Sequence, residues 1–447
     1  MSTGYDRARH LLCRTGFGPT HAEIVRASKL APRDVVSHLL KHARTSATLA
    51  PPSWSSEVPL LLARRAKIKM ASGKKEKQRL RKQSNAIAAT RGLELKGWWY
   101  AEMTRTDSPL TELMTLFWHN HFTSSLKAVK SPVLLYRQNV TLRAHALGNF
   151  RTLLRAVVRD PAMIVYLDNR TNRKRKPNEN FARELLELFT LGEGHYTEKD
   201  IKEAARAFTG WHIDRKTGGF RVNARQHDAG QKTFMGKTGA LDGDDVVDTI
   251  LANPRASEYV TERLWRAFVS PTPDAKAVTR LAKVLRDADY ELAPLMAALL
   301  TSPEMLDPAQ AGSLIKSPVQ LIVGTLKLFQ IVPESSKVLT AAGRRLGQDL
   351  FDPPNVKGWP GGEAWITTDT LLARQHLLSR FFRQPENAPQ LAERGWPAML
   401  GDGFKGNPVA ALQRLMLPIE PVFGEPGGGG PFASARHFAL DPAYQLF

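Results

Sequence analysis

The chain has 447 residues, of which 42% are hydrophobic and 24% charged, a composition typical of a folded globular protein. Its single cysteine, Cys13, excludes an internal disulfide and a thiolate zinc site, and no apolar run is long enough for a transmembrane helix. The formal net charge of +20 predicts attraction to anionic partners: nucleic acid, acidic polysaccharide or anionic lipid. No signal peptide is visible, so the sequence alone favours a cytoplasmic protein.

Helix signals dominate in chain order. Thr20 and Glu23 predict a capping box, and Ser108 followed by Pro109 predicts the start of a helix through "LTELMTLFWHNHF". Residues 180–191 and 198–209 predict two helices that pack antiparallel across the short "GEGHYT" loop. The best strand signal is "GGFRVNARQHDAGQKTFMG". The predicted fold is mainly α, a multi-helix globular domain with a small β-hairpin insertion and an irregular Pro/Gly-rich C-terminal tail.

Shifts in composition predict four segments along the chain. They are an N-terminal helical segment (1–63), a basic helix or arm (64–91), a main helical domain that carries the motifs (92–383) and a Pro/Gly-rich tail (384–447).

The basic segment has one acidic residue, Glu76, among many lysines and arginines. It is either a solvated helix or mobile arm, or a surface that contacts an anion, and its lack of interleaved aromatic residues argues against single-strand binding. A second basic cluster, "NRTNRKRKPNEN", begins at Asn169. The candidate polyanion contacts of the first segment are Arg64, Arg65, Lys74, Lys75, Arg79 and Arg81.

The stretch "FWHNHF" places His119 and His121 on either side of one asparagine. On an ideal helix, residues two apart point about 200° away from each other, so a shared metal requires the helix to end or distort there. The motif is either a helix end with histidines satisfied in the core or part of a metal or acid/base site.

Three further stretches carry candidate chemistry. In "NENFARELLELF", Glu184 and Glu187 are three residues apart on one helix face, where a partly buried carboxylate needs a cation, a metal or a proton; the alternative is a surface helix with an ordinary ion pair to Arg183. His227 and Asp228 lie in a predicted turn, which suits a ligand or a general base, or an Asx-turn. The loop "DPPNVKGWPGGEAW" either lines a pocket with aromatic faces or caps the core, and its polar and aromatic candidates are Asn355, Lys357 and Trp359.

Taken together, "MTLFWHNHFTSS", "NENFARELLELFTLGEGHYTEKDIKEAARAFTGW", "HDAGQKTFMG" and "FDPPNVKGWPGGEAWI" resemble the bacterial family catalogued as domain of unknown function 1800. The resemblance implies a largely helical fold, a partner protein encoded nearby and, for many relatives, export from the cytoplasm. The family pattern often has His where this chain has Phe189, which removes a nearby imidazole. The family's signature residues correspond here to His119, His121, Asn178, Glu179, Asn180, Arg183, Glu184, Glu187, Thr209, Gly210, Trp211, His227, Asp228, Asn355, Lys357 and Trp359.

Two functional hypotheses follow. In the first, the chain is a metal-assisted enzyme that acts on an anionic substrate or polymer. A Zn²⁺, Mn²⁺ or Fe²⁺ ion would be bound by His119, His121 and His227. The ligands or acid/base groups beside it would be Glu184, Glu187 and Asp228. The substrate would be contacted by Asn180, Arg183, Asn355, Lys357 and Trp359. In the second, the chain is a non-catalytic binding module for an anionic polymer, nucleic acid among them, or for a partner protein. The two differ in whether the histidines meet in one cleft.

Overall fold

The computed structural model describes residues 4–383, 385–401 and 404–447. Within them the side chains of residues 60, 61, 64–66 and 385 are outside the description, so the predicted contacts Arg64 and Arg65 lie outside the described side chains. The protein is 61% helical with only two small sheets, which confirms the mainly α class.

The first half of the chain is built mainly of helices. Their bounds are α1 Gly4–Arg14, α2 His21–Ala27, α3 Pro32–Lys41, α4 Leu60–Met70, α5 Lys74–Arg105, α6 Pro109–His121, α7 Leu126–Val129, α8 Pro132–Ala144, α9 Phe150–Val158, α10 Pro161–Tyr166, α11 Asn180–Glu184, a π-helix Leu185–Thr190 that continues α11, and α12 Glu198–Ala207.

The second half contains the strands and the remaining helices. Its helices are α13 Gly243–Ala252, α14 Pro254–Phe268, α15 Ala275–Asp287, α16 Leu292–Leu300, α17 Pro303–Leu306, α18 Pro318–Phe329, α19 Ser336–Arg345, α20 Thr368–Phe381, α21 Pro389–Arg394, α22 Trp396–Leu400, α23 Pro408–Met416 and α24 Gly430–Leu440. Short 3-10 turns occupy Asn169–Thr171, Pro308–Gln310, Gly362–Trp365, Pro385–Asn387 and Pro442–Gln445.

Local signals fix the helix starts. The Oγ1 of Thr20 accepts from the N–H of Glu23 while the Glu23 carboxylate accepts from the N–H of Thr20, which is the predicted capping box. Thr197 and Asp200 form the same arrangement at the start of α12. Each box satisfies backbone N–H groups that have no partner within the helix, and so defines where the helix begins.

Helix α6 lies in the core, with residues such as Met114 and Trp118 wholly buried. Burying a large apolar side chain stabilises the fold by about 1.5–3 kcal/mol. The buried carboxylate of α6, Glu112, is balanced by Arg143 of α8 at 2.9 Å and accepts from the indole N–H of Trp99 at 2.9 Å. Because these buried polar groups are paired, α6 can pass through the core and deliver the motif at its C-terminal end.

The β structure consists of two hairpins rather than one. Strands β1 (Trp211–Ile213) and β2 (Phe220–Val222) pair antiparallel, with His212 opposite Arg221, and β3 (Lys232–Phe234) and β4 (Lys237–Gly239) pair with Thr233 opposite Thr238. The second hairpin turns at Met235 and Gly236, both with positive φ, as a type I′ turn requires. The predicted stretch therefore spans the end of one hairpin and the start of the next.

The predicted segment boundaries fall differently on the structure. The boundary at residue 92 lies inside α5, which is one continuous helix of 32 residues. The C-terminal segment carries α21 to α24 and buries Leu412, Phe438 and Tyr444 in the common core. Leu446 also forms an antiparallel bridge with Ile315, so this segment is attached to the rest of the fold rather than loosely tethered.

Candidate functional site

Helix α6 ends in the three consecutive residues His119, Asn120 and His121. They connect it to two other segments that carry signature residues, the π-helix and the loop from Phe351 to Trp359; we call these three the signature segments. The Nε2 atom of His119 accepts from the backbone N–H of Phe351 at 3.2 Å. Its ring lies within 5.6 Å of the rings of Trp99, Phe351 and Trp359, centroid to centroid. Phe351 has a φ of 60°, a strained value for a residue with a side chain, and the bond from His119 helps to hold it there.

Asn120 holds in place the loop that contains Gly358 and Trp359. Its Oδ1 accepts from the N–H of Trp359 at 2.7 Å, and its Nδ2 donates to the carbonyl oxygen of Trp359 at 3.4 Å. Gly358 lies against it: a Cβ there would come within 2.3 Å of the Asn120 Oδ1, and its φ of 82° also favours glycine. Trp359 is only 3% exposed, so the structure places this predicted contact residue in the core rather than on a stacking surface.

His121 points to a different neighbour, the end of the π-helix. Its Nε2 donates to the carbonyl oxygen of Phe189 at 2.9 Å. Adjacent carbonyls at this helix end accept from Tyr259 (to Leu188, 2.9 Å) and from Arg255 (to Leu191, 3.0 Å). The end of a helix leaves such carbonyls without backbone partners, and here side chains supply them.

The predicted metal ligands are therefore not brought together. Among the described residues, no group of three or more His, Cys, Asp or Glu side chains could hold a metal ion. His227 donates from Nδ1 to the carbonyl oxygen of Thr209 at 2.9 Å. Burial lowers the pKa of His119 and of His121 to about 3, so both rings are neutral and act as hydrogen-bonding groups of the core.

The predicted carboxylates Glu184 and Glu187 do lie close together. Glu184 ends α11 and Glu187 lies in the π-helix, where Leu191 donates its N–H to Leu186 five residues back at 2.9 Å. Such π segments often occur at functional sites. Partial burial raises the pKa of Glu184, the charge of Glu187 raises it further, and the charges of Arg183 and Lys357 oppose the rise.

Two residues that the sequence did not single out join this group. Burial raises the pKa of Tyr166, and the charges of Glu184 and Asp352 add to the rise, which places the phenol near both carboxylates. We call Tyr166, Glu184, Glu187, Asp352 and Lys357 the Glu184 group. Asp352 belongs to the quoted "FDPPNVKGW" motif and could have been selected from it, whereas no sequence pattern pointed to Tyr166.

The other predicted contacts around this group are engaged within the protein. Arg183 forms a two-pronged ion pair with Glu198 at 2.8 and 2.9 Å, and Asn180 donates from Nδ2 to the carbonyl oxygen of Leu167 at 3.1 Å. Asn355 accepts from the N–H of Lys357 at 2.9 Å. Asn355 and Lys357 are exposed, so they remain accessible to a ligand.

Asp228 belongs to a separate network that attaches the second hairpin to α12. Its carboxylate accepts from Arg206 Nε at 2.7 Å and from the N–H of Gly230 at 2.9 Å, in the Asx-turn that the sequence allowed. The hydrogen bond from Arg206 is the main cause that lowers the pKa of Asp228. Lys232 donates to the carbonyl oxygen of Asp228 at 2.6 Å, so this group is a structural one.

The family model described as "Protein of unknown function (DUF1800)" matches residues 10–422. The chain belongs to this family. No curated protein and no solved structure matches it. The DUF1800 match covers all three segments that His119, Asn120 and His121 connect.

This DUF1800 protein also carries an exposed basic surface. It comprises three segments: the start of α5, the first hairpin with the loop after it, and the turn of the second basic cluster. Its exposed cations are Lys74, Lys75, Lys77, Arg79, Arg81 and Lys82; Arg215, Lys216, Arg221 and Arg225; and Arg173, Lys174, Arg175 and Lys176.

Contacts around the first hairpin show how these segments are arranged. At the base of α4, a Cβ on Gly218 would come within 2.5 Å of Pro59. Arg137 donates to the carbonyl oxygens of both Thr217 and Glu57, at 3.0 and 3.2 Å, and so ties the first hairpin to that base. At the other end, Lys174 donates its N–H to the carbonyl oxygen of Gln226 at 2.9 Å. The first hairpin and the second basic cluster therefore adjoin. The hairpin meets the α4–α5 pair where Glu57 pairs with Arg91, and the cations of the α5 segment begin about 14 Å further along the helix, at Lys82.

Two further features bear on function. A cavity of about 380 Å³ lies among α1, α2, α3 and the start of α6, lined by residues such as Phe17, Ala27, Val35 and Asp107, and it contains none of the predicted site residues. No helix in the described part of the chain has the length and apolar content that a bilayer crossing needs.

Proposed function

We propose that this protein binds extended polyanions along the basic surface, by charge and without sequence preference. The observation that carries the proposal is the set of exposed lysines and arginines on three segments of the surface, most of which have no carboxylate partner. Within the start of α5 only Arg79 pairs, with Glu76 at 2.8 Å. From Lys74 to Lys82 the cations of the helix cover about 12 Å, enough to contact a few successive phosphates or sulfates.

The geometry favours this binding module over the metal-assisted enzyme. The enzyme hypothesis required three imidazoles around one point, and the described residues contain no such group. The basic surface, in contrast, needs no rearrangement to contact a polymer, because its cations are already exposed. Unpaired surface cations release the counterions of a polyanion on binding, which makes the affinity depend on salt.

The test measures binding to heparin and to two DNA duplexes of equal length and different sequence, as a function of salt. The variant replaces the six cations of the α5 segment, Lys74, Lys75, Lys77, Arg79, Arg81 and Lys82, by Gln. On duplex DNA the slope of log K against log salt should fall by about 0.9 for each phosphate that the variant no longer neutralises. The two duplexes should bind equally well.

A matched control neutralises six exposed cations outside the basic surface: Lys29, Arg33, Lys41, Lys276, Arg383 and Arg436. It changes the net charge by the same amount and should leave most of the slope in place. An equal fall in slope in both variants would mean that net charge alone is responsible, and the proposal would be wrong.

A third variant tests whether the segments act as one surface. Gly218→Val places a side chain against Pro59 at a φ of 74°, so it should displace the first hairpin from the base of α4. Binding of a long duplex should weaken while binding of a short oligonucleotide that covers only α5 stays the same. If both weaken equally or neither changes, the segments do not form one continuous surface.

A further inference from the structure

Four cationic side chains come together in the interior where α1, α20, the stretch before α18 and the last residues of the chain meet. Arg9 is 6% exposed, Arg14 and Arg374 are fully buried, and Lys316 is partly buried. Arg374 donates to the carbonyl oxygen of Lys316 at 2.9 Å and to the Oε1 of Gln445 at 3.0 Å. We call these four residues the buried cation cluster.

The remaining contacts of the cluster are with neutral groups. Arg14 donates to the carbonyl oxygen of Gln310 at 2.6 Å and to the Oγ of Ser313 at 2.9 Å, and its guanidinium lies 4.9 Å from the centre of the Phe447 ring. Lys316 donates to the carbonyl oxygen of Tyr444 at 2.7 Å, with its ammonium 3.8 Å from the centre of that ring. No carboxylate among the described residues lies within 4.0 Å of any of the four cations.

Several donors in the cluster have no acceptor at all. The buried atoms without a hydrogen-bond partner include Arg9 Nε, Arg14 Nε and Nη1, Arg374 Nε and Gln445 Nε2. Buried polar atoms are nearly always paired, and buried charges are usually paired with an opposite charge. Arg143 shows the ordinary solution in this same protein, since Glu112 and Asn139 accept from its guanidinium. Among the described residues, the buried cation cluster has no such carboxylate.

The electrostatic consequences point in the same direction. Burial lowers the pKa of Arg14 to about 9 and that of Arg374 to about 10. Burial also lowers the pKa of Lys316 to about 7, and the charges of Arg9 and Arg374 contribute to that shift. These three groups are therefore held in an environment that disfavours their charge, and a nearby negative charge would relieve them together.

A cavity adjoins the cluster. It has a volume of about 40 Å³, and its lining includes Lys316, Cys13, Gln320, Tyr444 and Phe447 but none of the three arginines. A space of this size admits roughly three water molecules, as each needs about 10–15 Å³. It is large enough for a small inorganic anion and too small for a nucleotide or a sugar phosphate.

We propose that the buried cation cluster binds one small tetrahedral oxyanion of the phosphate or sulfate class, with the ammonium of Lys316 facing it in this cavity. The ammonium of Lys316 donates to the anion, and the positive charges of the three neighbouring arginines favour a doubly charged anion over chloride. This site is separate from the basic surface, because its cations are buried and it takes one small ion rather than a polymer.

The first experiment measures the melting temperature and the binding stoichiometry of the full chain with inorganic phosphate, sulfate and chloride at constant pH and ionic strength. Phosphate and sulfate should raise the melting temperature in a saturable way and bind one ion per chain, whereas chloride should not. The variant with six α5 cations replaced by Gln should keep this binding. A response equal to that with chloride, or one that disappears in the α5 variant, would overturn the proposal.

Arg9→Met is the decisive substitution, because Arg9 donates no hydrogen bond and forms no ion pair among the described residues. Its removal should leave the ion-free protein as stable as before or more stable, since a repulsive charge is removed, and should weaken phosphate binding at least tenfold. Arg7→Met, an exposed arginine on the same helix, is the matched control and should change neither. If Arg9→Met binds phosphate with unaltered affinity, the site is refuted. This outcome decides the matter even where the more direct substitution, Lys316→Met, prevents folding.

Cys13 supplies an independent readout, because it is the only cysteine in the chain and lines the same cavity. Phosphate should slow its alkylation by iodoacetamide several-fold, with half of the effect at the concentration that half-saturates the rise in melting temperature. In Arg9→Met this protection should need at least tenfold more phosphate. An alkylation rate that does not depend on phosphate would place any bound ion elsewhere.

Discussion

The signature segments and the basic surface use their polar residues in opposite ways. In the signature segments, His119, Asn120 and His121 each bond to the backbone of another segment, so their hydrogen-bonding capacity is directed inward. On the basic surface, lysines and arginines such as Lys75 and Arg175 are exposed to solvent. His119, Asn120 and His121 therefore support the fold, whereas the cations of the basic surface remain exposed to solvent.

This comparison shows why a motif rich in His, Asn and Glu need not be an active site. A strained residue such as Phe351, or a helix end such as Phe189, presents backbone groups that only specific side chains can satisfy. Histidine suits such positions because the neutral ring offers one donor and one acceptor. His119 and His121 then serve the architecture of the fold.

The largest expected effect that separates the two regions is the response to acid. His10, His119 and His121 are buried, each with its pKa lowered to about 3 from 6.5, mainly by burial. Between those values the unfolded chain binds protons that the folded chain does not, so stability falls as pH decreases. From pH 6.5 to 5.0 each histidine should cost about 2 kcal/mol of unfolding free energy.

Asp160 acts in the opposite direction, because burial raises its pKa to about 7, so that the folded chain takes up its proton first. It should offset about 2 kcal/mol, which leaves a net decrease of about 4 kcal/mol between pH 6.5 and 5.0. Urea unfolding at several pH values measures this decrease. His121→Gln, which can still donate to Phe189, should reduce it by about 2 kcal/mol. The α5 variant should leave it unchanged, since it removes none of these four buried groups; a different result there would break the comparison.

A second prediction sharpens the contrast between two of the proposed metal ligands. His119→Ala leaves the N–H of Phe351 without a partner and opens a cavity among aromatic rings, so it should lower the unfolding free energy by about 2–4 kcal/mol. His227→Ala removes one bond from a partly exposed ring and should cost less than about 1.5 kcal/mol. Denaturant unfolding gives both values.

Elemental analysis of the same samples tests whether His119 or His227 binds a metal ion. Wild type and both variants should contain the same amount of metal, because His119 and His227 do not belong to one ligand group among the described residues. A stoichiometric metal in the wild type that both substitutions remove would restore the metal-site hypothesis, and the signature segments would then hold accessible chemistry after all.

Local features could be predicted from the sequence, and long-range ones could not. The capping box at Thr20 and Glu23 depends on four consecutive residues, and the divergence of His119 and His121 follows from the helical repeat. In contrast, the partner of His119 is Phe351, 232 positions away, and no local pattern identifies it. The buried cation cluster could not be predicted for the same reason: Arg9 and Arg374 are ordinary residues in their own helices and are brought together only by the tertiary fold.

The smallest expected effect concerns the Glu184 group, where charge remains partly exposed. Glu187→Gln removes a like charge and should lower the pKa of Glu184, while Lys357→Gln removes an attractive charge and should raise it. Glu193→Gln, an exposed carboxylate outside the group, should leave it unchanged. Carboxyl ¹³C chemical shifts followed over a pH titration measure all three.

Opposite shifts from the first two variants would show that Glu187 and Lys357 both act on Glu184 in solution, so that the π-helix and the 351–359 loop meet as the structure places them. A carboxyl group whose pKa is set by two neighbours of opposite charge has the property that a general acid or base needs. The Glu184 group would then be the place within the signature segments to look for chemistry. If neither substitution moves the pKa, Glu184 titrates independently of Glu187 and Lys357, and the contrast between the inward-directed motif at His119–His121 and the outward-directed basic surface extends to this group.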